Sequence, residues 1–330
     1  MKRFRRLLVA GALTAMLFTL PGCGGGDAPA ASSSGSNGVA SSSAPPEPVV
    51  VEPAYYHPLT GVGMDEDLSR LRPVAVMIND LKAAQPQLGV SQADIIYEMP
   101  AEGGITRMVA IFQSLDGVGN LGSIRSTRAY YLELALGHDA LLVHAGGSPE
   151  AYKDIPAWGV DNMDGVNGGS DAKIFWRDAE RRRTKGYEHS LLTSGEKIQA
   201  YLDQGHFRTE HKDGYAESLR FRDDGTPQGG TAAGKVSMHF SQYKTAVFDY
   251  DAASGKYLVS QFGEAYIDGN TGEQVGVTNV LALKTRIRLI SGDTAGRMTA
   301  DLTSGGEGMY FCGGQGIPIH WEKASLNDPF

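Results

Sequence analysis

Six side chains between positions 98 and 144 have the types and spacing to hold or transform an anion: Glu98, Glu102, Arg107, Arg125, Arg128 and His144. Arginine offers a planar fork of donors that matches a carboxylate or phosphate. Paired carboxylates are the usual acid and base of glycan cleavage. Glu98 and Glu102 are four residues apart, roughly 13 Å along a strand at about 3.3 Å per residue. Glycosidase carboxyls sit about 5–9.5 Å apart, so hydrolysis would need a bulge at Pro100. His144 and Ser148 invite comparison with a nucleophile and its base. However, Ser148-Pro149-Glu150 reads as a helix start, with the serine oxygen occupied as the cap. His144, at the end of an apolar run, is the better site residue, although a histidine so placed is more often a hydrogen-bonded core residue than a catalyst. His206 and His211 are five apart, off the spacing that puts two ligands on one helix face, and no metal pattern occurs. No cofactor is expected.

These residues need strands and helix starts to position them. Val74 to Asn79 reads as a strand, and ADIIYEM and ITRMVAIFQS form two apolar runs joined through Gly103-Gly104, a hairpin signal. A two-residue turn there sets Glu98 opposite Val109 and Pro100 opposite Arg107, so that Glu98, Glu102 and Arg107 share one face. Ser126 or Thr127 is expected to cap the helix YYLELALG, leaving Arg125 and Arg128 beside its free N–H groups as an anion cradle. The same arginines could instead pair with Glu98, Glu133 or Asp139 and simply hold the sheet together. Gly117-Val-Gly119-Asn-Leu-Gly122 is a literal G-x-G-x-x-G, but Asp139 precedes the next strand where a ribose-binding acid should follow it, so a dinucleotide fold is disfavoured. Arg181-Arg182-Arg183 reads as a solvated loop neutralised by Asp178 and Glu180, and KIQAYLDQ after Ser194 as an amphipathic helix. From about Tyr215 onward, short runs rich in β-branched and aromatic residues predict a mostly β part, with Asp268-Gly-Asn-Thr-Gly as a hairpin.

The fold class expected is α+β: an N-terminal mixed α/β domain over 54–212, then a β-rich domain over 213–330. Ahead of them, Lys2, Arg3, Arg5 and Arg6 precede an apolar run from Leu7 to Leu20 that is too short for an ordinary membrane span. Residues 1–22 therefore read as a lipoprotein signal peptide, with Cys23 as the lipidated residue. Positions 23–53 add a Gly/Ser/Pro-rich linker spanning roughly 30 Å as a flexible coil. Thirty Lys and Arg stand against 38 Asp and Glu, and without the four basic leader residues 26 stand against 38, a charge near −12. Such a surface repels nucleic acid and anionic headgroups, so an anionic ligand needs a local arginine cluster. Lipidation would use Cys23 and leave Cys312 alone, which rules out an intrachain disulfide.

Several of these stretches, in order, carry a resemblance: the strand RPVAVMI, A-x-P-Q-x-G at 84–89, A-D-I-I-Y-E at 93–98, E-G-G-I-T-R at 102–107, I-R-S-T-R at 124–128, H-A-G-G-S at 144–148 and G-G-Q-G-I-P-I-H-W at 313–321. Together they resemble the YerB-like family of bacterial lipoproteins, domains of unknown function. The resemblance implies an exported, membrane-tethered protein in two parts, the second β-rich, with no agreed activity. Two departures stand out. Gln85 occupies a position where the family commonly has arginine, and the chain stops shortly after Trp321, so the second domain is expected to be cut short.

Two functions follow as expectations. One is a non-catalytic binding or scaffolding lipoprotein on the extracytoplasmic face of the cell membrane, holding an anionic wall component or an envelope protein. The alternative is a cell-envelope hydrolase acting on wall glycan or phosphoester.

Overall fold

The computed structural model describes residues 52–216 and 218–330. The leader, Cys23 and nearly all of the linker lie outside the described residues.

The centre is a five-stranded mixed sheet made of β1 (Val74–Asn79), β2 (Ile95–Pro100), β3 (Thr106–Phe112), β4 (Leu141–His144) and β5 (Asn162–Asp164), in the order β2-β3-β1-β4-β5. β3 runs antiparallel to β2 and β1, whereas β1, β4 and β5 run parallel. All six residues of β1 are buried, which explains its continuous apolar run: both faces of the strand meet a packed layer. Val74, Val76 and Ile78 face one core with Met108 and Ala110. Ala75 and Met77 face the other with Val109 and Ile111.

Helices α1 (Ala129–Gly137) and α2 (Pro149–Trp158) cover the second face. Ser148 caps α2, its oxygen accepting the Ala151 N–H at 3.1 Å, as the Ser-Pro-Glu start predicts. Ser194 likewise caps the amphipathic α4 (Gly195–Leu202). α1 departs from expectation, because its N-cap is Arg128 and neither Ser126 nor Thr127 provides a side-chain cap. The Arg181–Arg183 run also departs: it forms helix α3 (Ala179–Thr184) capped by Asp178. Arg181 is buried there and donates to the carbonyls of Ala84, Pro86 and His189.

The later part is nearly all strand, as expected. β6 (Lys235–Ser241), β7 (Lys244–Asp251) and β8 (Lys256–Gln261) form an antiparallel meander, and β9 (Asn279–Leu283), β10 (Gly306–Cys312) and β11 (Gln315–Trp321) form a second sheet. This part has a small core of its own, Ala233, Val236, Tyr257 and Val280, and also contributes to both cores of the mixed sheet. Val259, Tyr266 and Val275 complete the first core, while Ala300 and Leu302 join the second, so the β-rich part clasps the mixed sheet on both faces. Asp268 serves as a staple rather than only a hairpin residue, accepting from Gly89 N, Ser91 N and Ser91 Oγ at 3.1, 2.8 and 2.7 Å.

Candidate anion-binding site

Parallel strands splay at their carboxyl ends, and ligands of open α/β sheets commonly bind in the crevice this leaves. Here β1 and β4 pair only from Val74 to Val76 and from Leu141 to Val143. Beyond that the chain fills its own crevice with residues 123–127. Arg125 N donates to Met77 O at 3.1 Å and Ala145 N to Arg125 O at 3.0 Å. Thr127 N then donates to Gly146 O at 3.0 Å, and Ser148 N to Thr127 O at 3.2 Å. The I-R-S-T-R and H-A-G-G-S stretches are thus laced together at the carboxyl edge. Gly146 requires its left-handed φ of 82° there, and a Cβ on it would approach the Ser126 hydroxyl to 3.1 Å.

E-G-G-I-T-R closes the same edge. Its turn is longer than the two-residue turn expected: Ala101 N bonds Ile105 O at 2.8 Å, with Gly103 and Gly104 both in the left-handed region. The register shifts by one, so Glu98 stands opposite Met108 and Met99 opposite Arg107. A one-residue slip moves a side chain to the other face of a sheet. Glu98 and Arg107 therefore do not share a face, which corrects the sequence expectation.

On the helix side, Glu102, Arg107 and Arg128 converge. Arg107 donates one Nη to Glu102 at 2.8 Å and the other to Ser126 O at 2.7 Å. Arg128 meets both carboxylate oxygens of Glu102, its Nε at 3.1 Å, while its remaining Nη holds Thr127 O at 2.6 Å. The Tyr130 and Tyr131 hydroxyls fasten the start of α1 to Pro100 O and Met99 O at 2.9 and 3.1 Å. The guanidinium side chains are only 4 % and 7 % exposed, against 23 % for Glu102. Desolvation and then the adjacent Arg128 charge push Arg107 below its ordinary value. Desolvation would raise Glu102, but the Arg107 charge and the Arg128 hydrogen bond outweigh it and leave the carboxyl below its usual range. Glu102 does not satisfy the pair completely: the Arg107 Nε is buried with no hydrogen-bond partner among the described residues.

Arg125 stands beside this cluster, close enough for its charge to act on Arg107. Its guanidinium reaches Glu188 at 3.5 Å, a partner the sequence did not suggest, and its own Nε is buried without a partner among the described residues. Arg297, from the β-rich part, is a further arginine that sequence reasoning missed. It bonds Asp293 at 2.7 Å and lies within electrostatic reach of Glu150 and Glu102. Only its distance in sequence hid it.

Glu98 and His144 fall outside the cluster. His144 is wholly buried, with Nδ1 at 2.9 Å from Gly146 O and Nε2 at 3.0 Å from Asn162 Oδ1, the arrangement of a core histidine. Glu98 lies on the opposite face in a buried knot with Asp80, Thr106 and Lys244. Lys244 Nζ is 2.6 Å from Asp80 and 3.2 Å from Glu98. The Thr106 hydroxyl lies 2.7 Å from Asp80 and 2.8 Å from Glu98, and its single proton cannot serve both carboxylates. Burial, and next the Asp80 charge, push Glu98 up to about 8. The G-x-G-x-x-G stretch runs into a short strand, Asn120–Gly122, paired with Leu192–Ser194 rather than opening a helix, so it lacks the geometry of a nucleotide loop. Among the described residues no group of three or more His, Cys, Asp or Glu is placed to hold a metal.

The two parts share their cores, and an arginine–carboxylate cluster stands at the carboxyl edge of the mixed sheet. The chain belongs to the family described as "Protein of unknown function (DUF3048)", matching its N-terminal domain over residues 59–208 and its C-terminal domain over residues 236–330. It is 33 % identical over 270 residues to the Bacillus subtilis (strain 168) protein described as "Putative lipoprotein YerB", covering 81 % of this chain and 78 % of that one. The crystal structure of the YerB protein from Bacillus subtilis superposes with a TM-score of 0.70 at 29 % identity, covering 83 % of this chain and 89 % of that chain.

Proposed function

We propose that this chain is a lipid-anchored binding protein on the extracytoplasmic face of the cell membrane, and that the carboxyl-edge arginines hold an anionic group of an envelope component or partner protein. The observation that carries the reading is the pair of buried guanidiniums, Arg107 and Arg128, gathered on an acidic chain with the Arg107 Nε unpaired. A buried charged donor left without an acceptor costs free energy that an incoming oxyanion can recover. The lipoprotein description of the Bacillus relative supports the anchor, for which Cys23 supplies the thiol. No helix among the described residues is long and apolar enough to cross a membrane.

Glycan hydrolysis gains no support, because Glu98 and Glu102 meet different partners on opposite sides of the sheet. Two experiments test the proposal. Cys23→Ala should move the protein from the membrane fraction to the soluble fraction. Titration calorimetry with an N-acetylated tripeptide ending in a free carboxylate should show binding that Arg128→Met weakens by about tenfold or more, as expected for a lost charge-assisted pair. Binding that ignores Arg128 contradicts the site.

A further inference from the structure

Glu102 occupies the seat that the proposed function assigns to a ligand, and three observations distinguish it from a permanent partner. The arginines are fixed by their surroundings: Arg107 lies within β3, and Arg128 begins α1 under the two tyrosine clamps. Glu102 instead sits on a turn whose next two residues are glycines at φ 72° and 76°, with open space around Gly103 where a Cβ would stand. The fit is also incomplete, since the turn brings its carboxylate to Arg107 Nη but leaves Nε unpaired.

The donors left over identify the chemistry of the seat. One Nη of each arginine is committed to a backbone carbonyl, Ser126 O and Thr127 O. The Nε and second Nη of Arg128 both reach the Glu102 carboxylate and the second Nη of Arg107 joins them, so three donors meet one planar pair of oxygens. A carboxylate fills that arrangement, as that of Glu102 does.

We propose that the Arg107–Arg128 seat is built for the carboxylate of a ligand, and that Glu102 is a tethered stand-in which that carboxylate displaces. This inference rests on the proposed function and adds the ligand class and the gate. The turn is held by the second part of the chain: Ser241 Oγ, at the β6–β7 hairpin, donates to Gly104 O, and the Tyr243 ring lies against Gly104. Displacing Glu102 therefore pulls on the hairpin that also carries Lys244.

A site that is competent only when its stand-in has left binds more weakly by the fraction of time it is open. Full-length protein is titrated with the same N-acetylated tripeptide, with its C-terminal amide and with inorganic phosphate. Glu102→Gln should bind the free-carboxylate peptide roughly tenfold tighter than the unsubstituted chain, the amide should not bind, and phosphate should bind more weakly than the peptide. Ser241→Ala, which only loosens the turn, should tighten binding by about two- to threefold and covers the case in which Glu102→Gln does not fold. Unchanged or weaker peptide binding in both variants, with the Arg128 dependence intact, overturns the stand-in and leaves the binding function standing. Preference for phosphate overturns the ligand class. Loss of Arg128 dependence brings down the proposed function itself.

Discussion

Glu98 and Glu102 are four residues apart and have opposite electrostatic fates. Glu102 lies against two guanidiniums and is held below its ordinary range, so its contribution to stability is present above its unfolded pKa and is lost as pH falls through the folded value. Glu98 is raised to about 8 by burial and by Asp80, with Lys244 opposing, Thr106 bonded to it and Tyr266 packed close by. Its folded value lies above its unfolded one, so the folded state binds the extra proton between them and stability falls as pH rises from about 4.5 to about 8. Glu98→Gln keeps the neutral shape and removes that titration. Urea unfolding at about pH 5.5 and about pH 8.5 should show a smaller loss for the variant than for the unsubstituted chain. Glu133, raised to about 7 chiefly by desolvation, contributes to the slope that remains. An identical slope in the two proteins contradicts the buried acid. Residue types alone pointed to Glu102, Arg107 and Arg128. Glu98 and His144 look the same in sequence because burial and both of their partner sets are set by residues far along the chain.

At the scale of elements, legibility followed the range of the forces. Ser148-Pro149-Glu150 and Ser194-Gly195-Glu196 announce helices through contacts within one turn, and both appear as read. Ser148→Ala should accordingly lower stability by about 1 kcal/mol in a denaturant titration, and no measurable change would argue against a cap that matters. Longer-range choices were hidden. The Gly103-Gly104 signal marked a hairpin correctly, but turn length decides the register, and one extra residue sent Glu98 to the other face. Arg181 looked solvated because its acceptors, the carbonyls of Ala84 and Pro86, lie almost a hundred residues away. Arg128 serves as an N-cap without a capping oxygen because Thr127 is already tied into the ladder with Gly146.

At the scale of the molecule, the α+β character and the β-rich second part were legible from the change of texture near Tyr215. The sharing of cores was not, since Val259, Tyr266 and Ala300 show nothing in sequence of which sheet they will meet. A shared core and a buried Asp80–Lys244 pair between the parts predict that residues 54–330 unfold in one cooperative transition. Tryptophan fluorescence and far-ultraviolet circular dichroism should give coincident curves, and two separated transitions would contradict the clasp. The same arrangement links the arginine seat to the second part, through Ser241 on the Glu102 turn and Arg297 within reach of Glu102.

The central claim is that Arg107 and Arg128 form a seat for a ligand oxyanion. Nitrogen-15 NMR of the arginine Nε–H groups, recorded while the free-carboxylate tripeptide is added, tests it most directly. Saturable shifts are expected at Arg107 and Arg128, with the Arg107 Nε moving most because it gains its first acceptor. Saturable binding that leaves both resonances in place and perturbs exposed arginines such as Arg182 or Arg183 would contradict it.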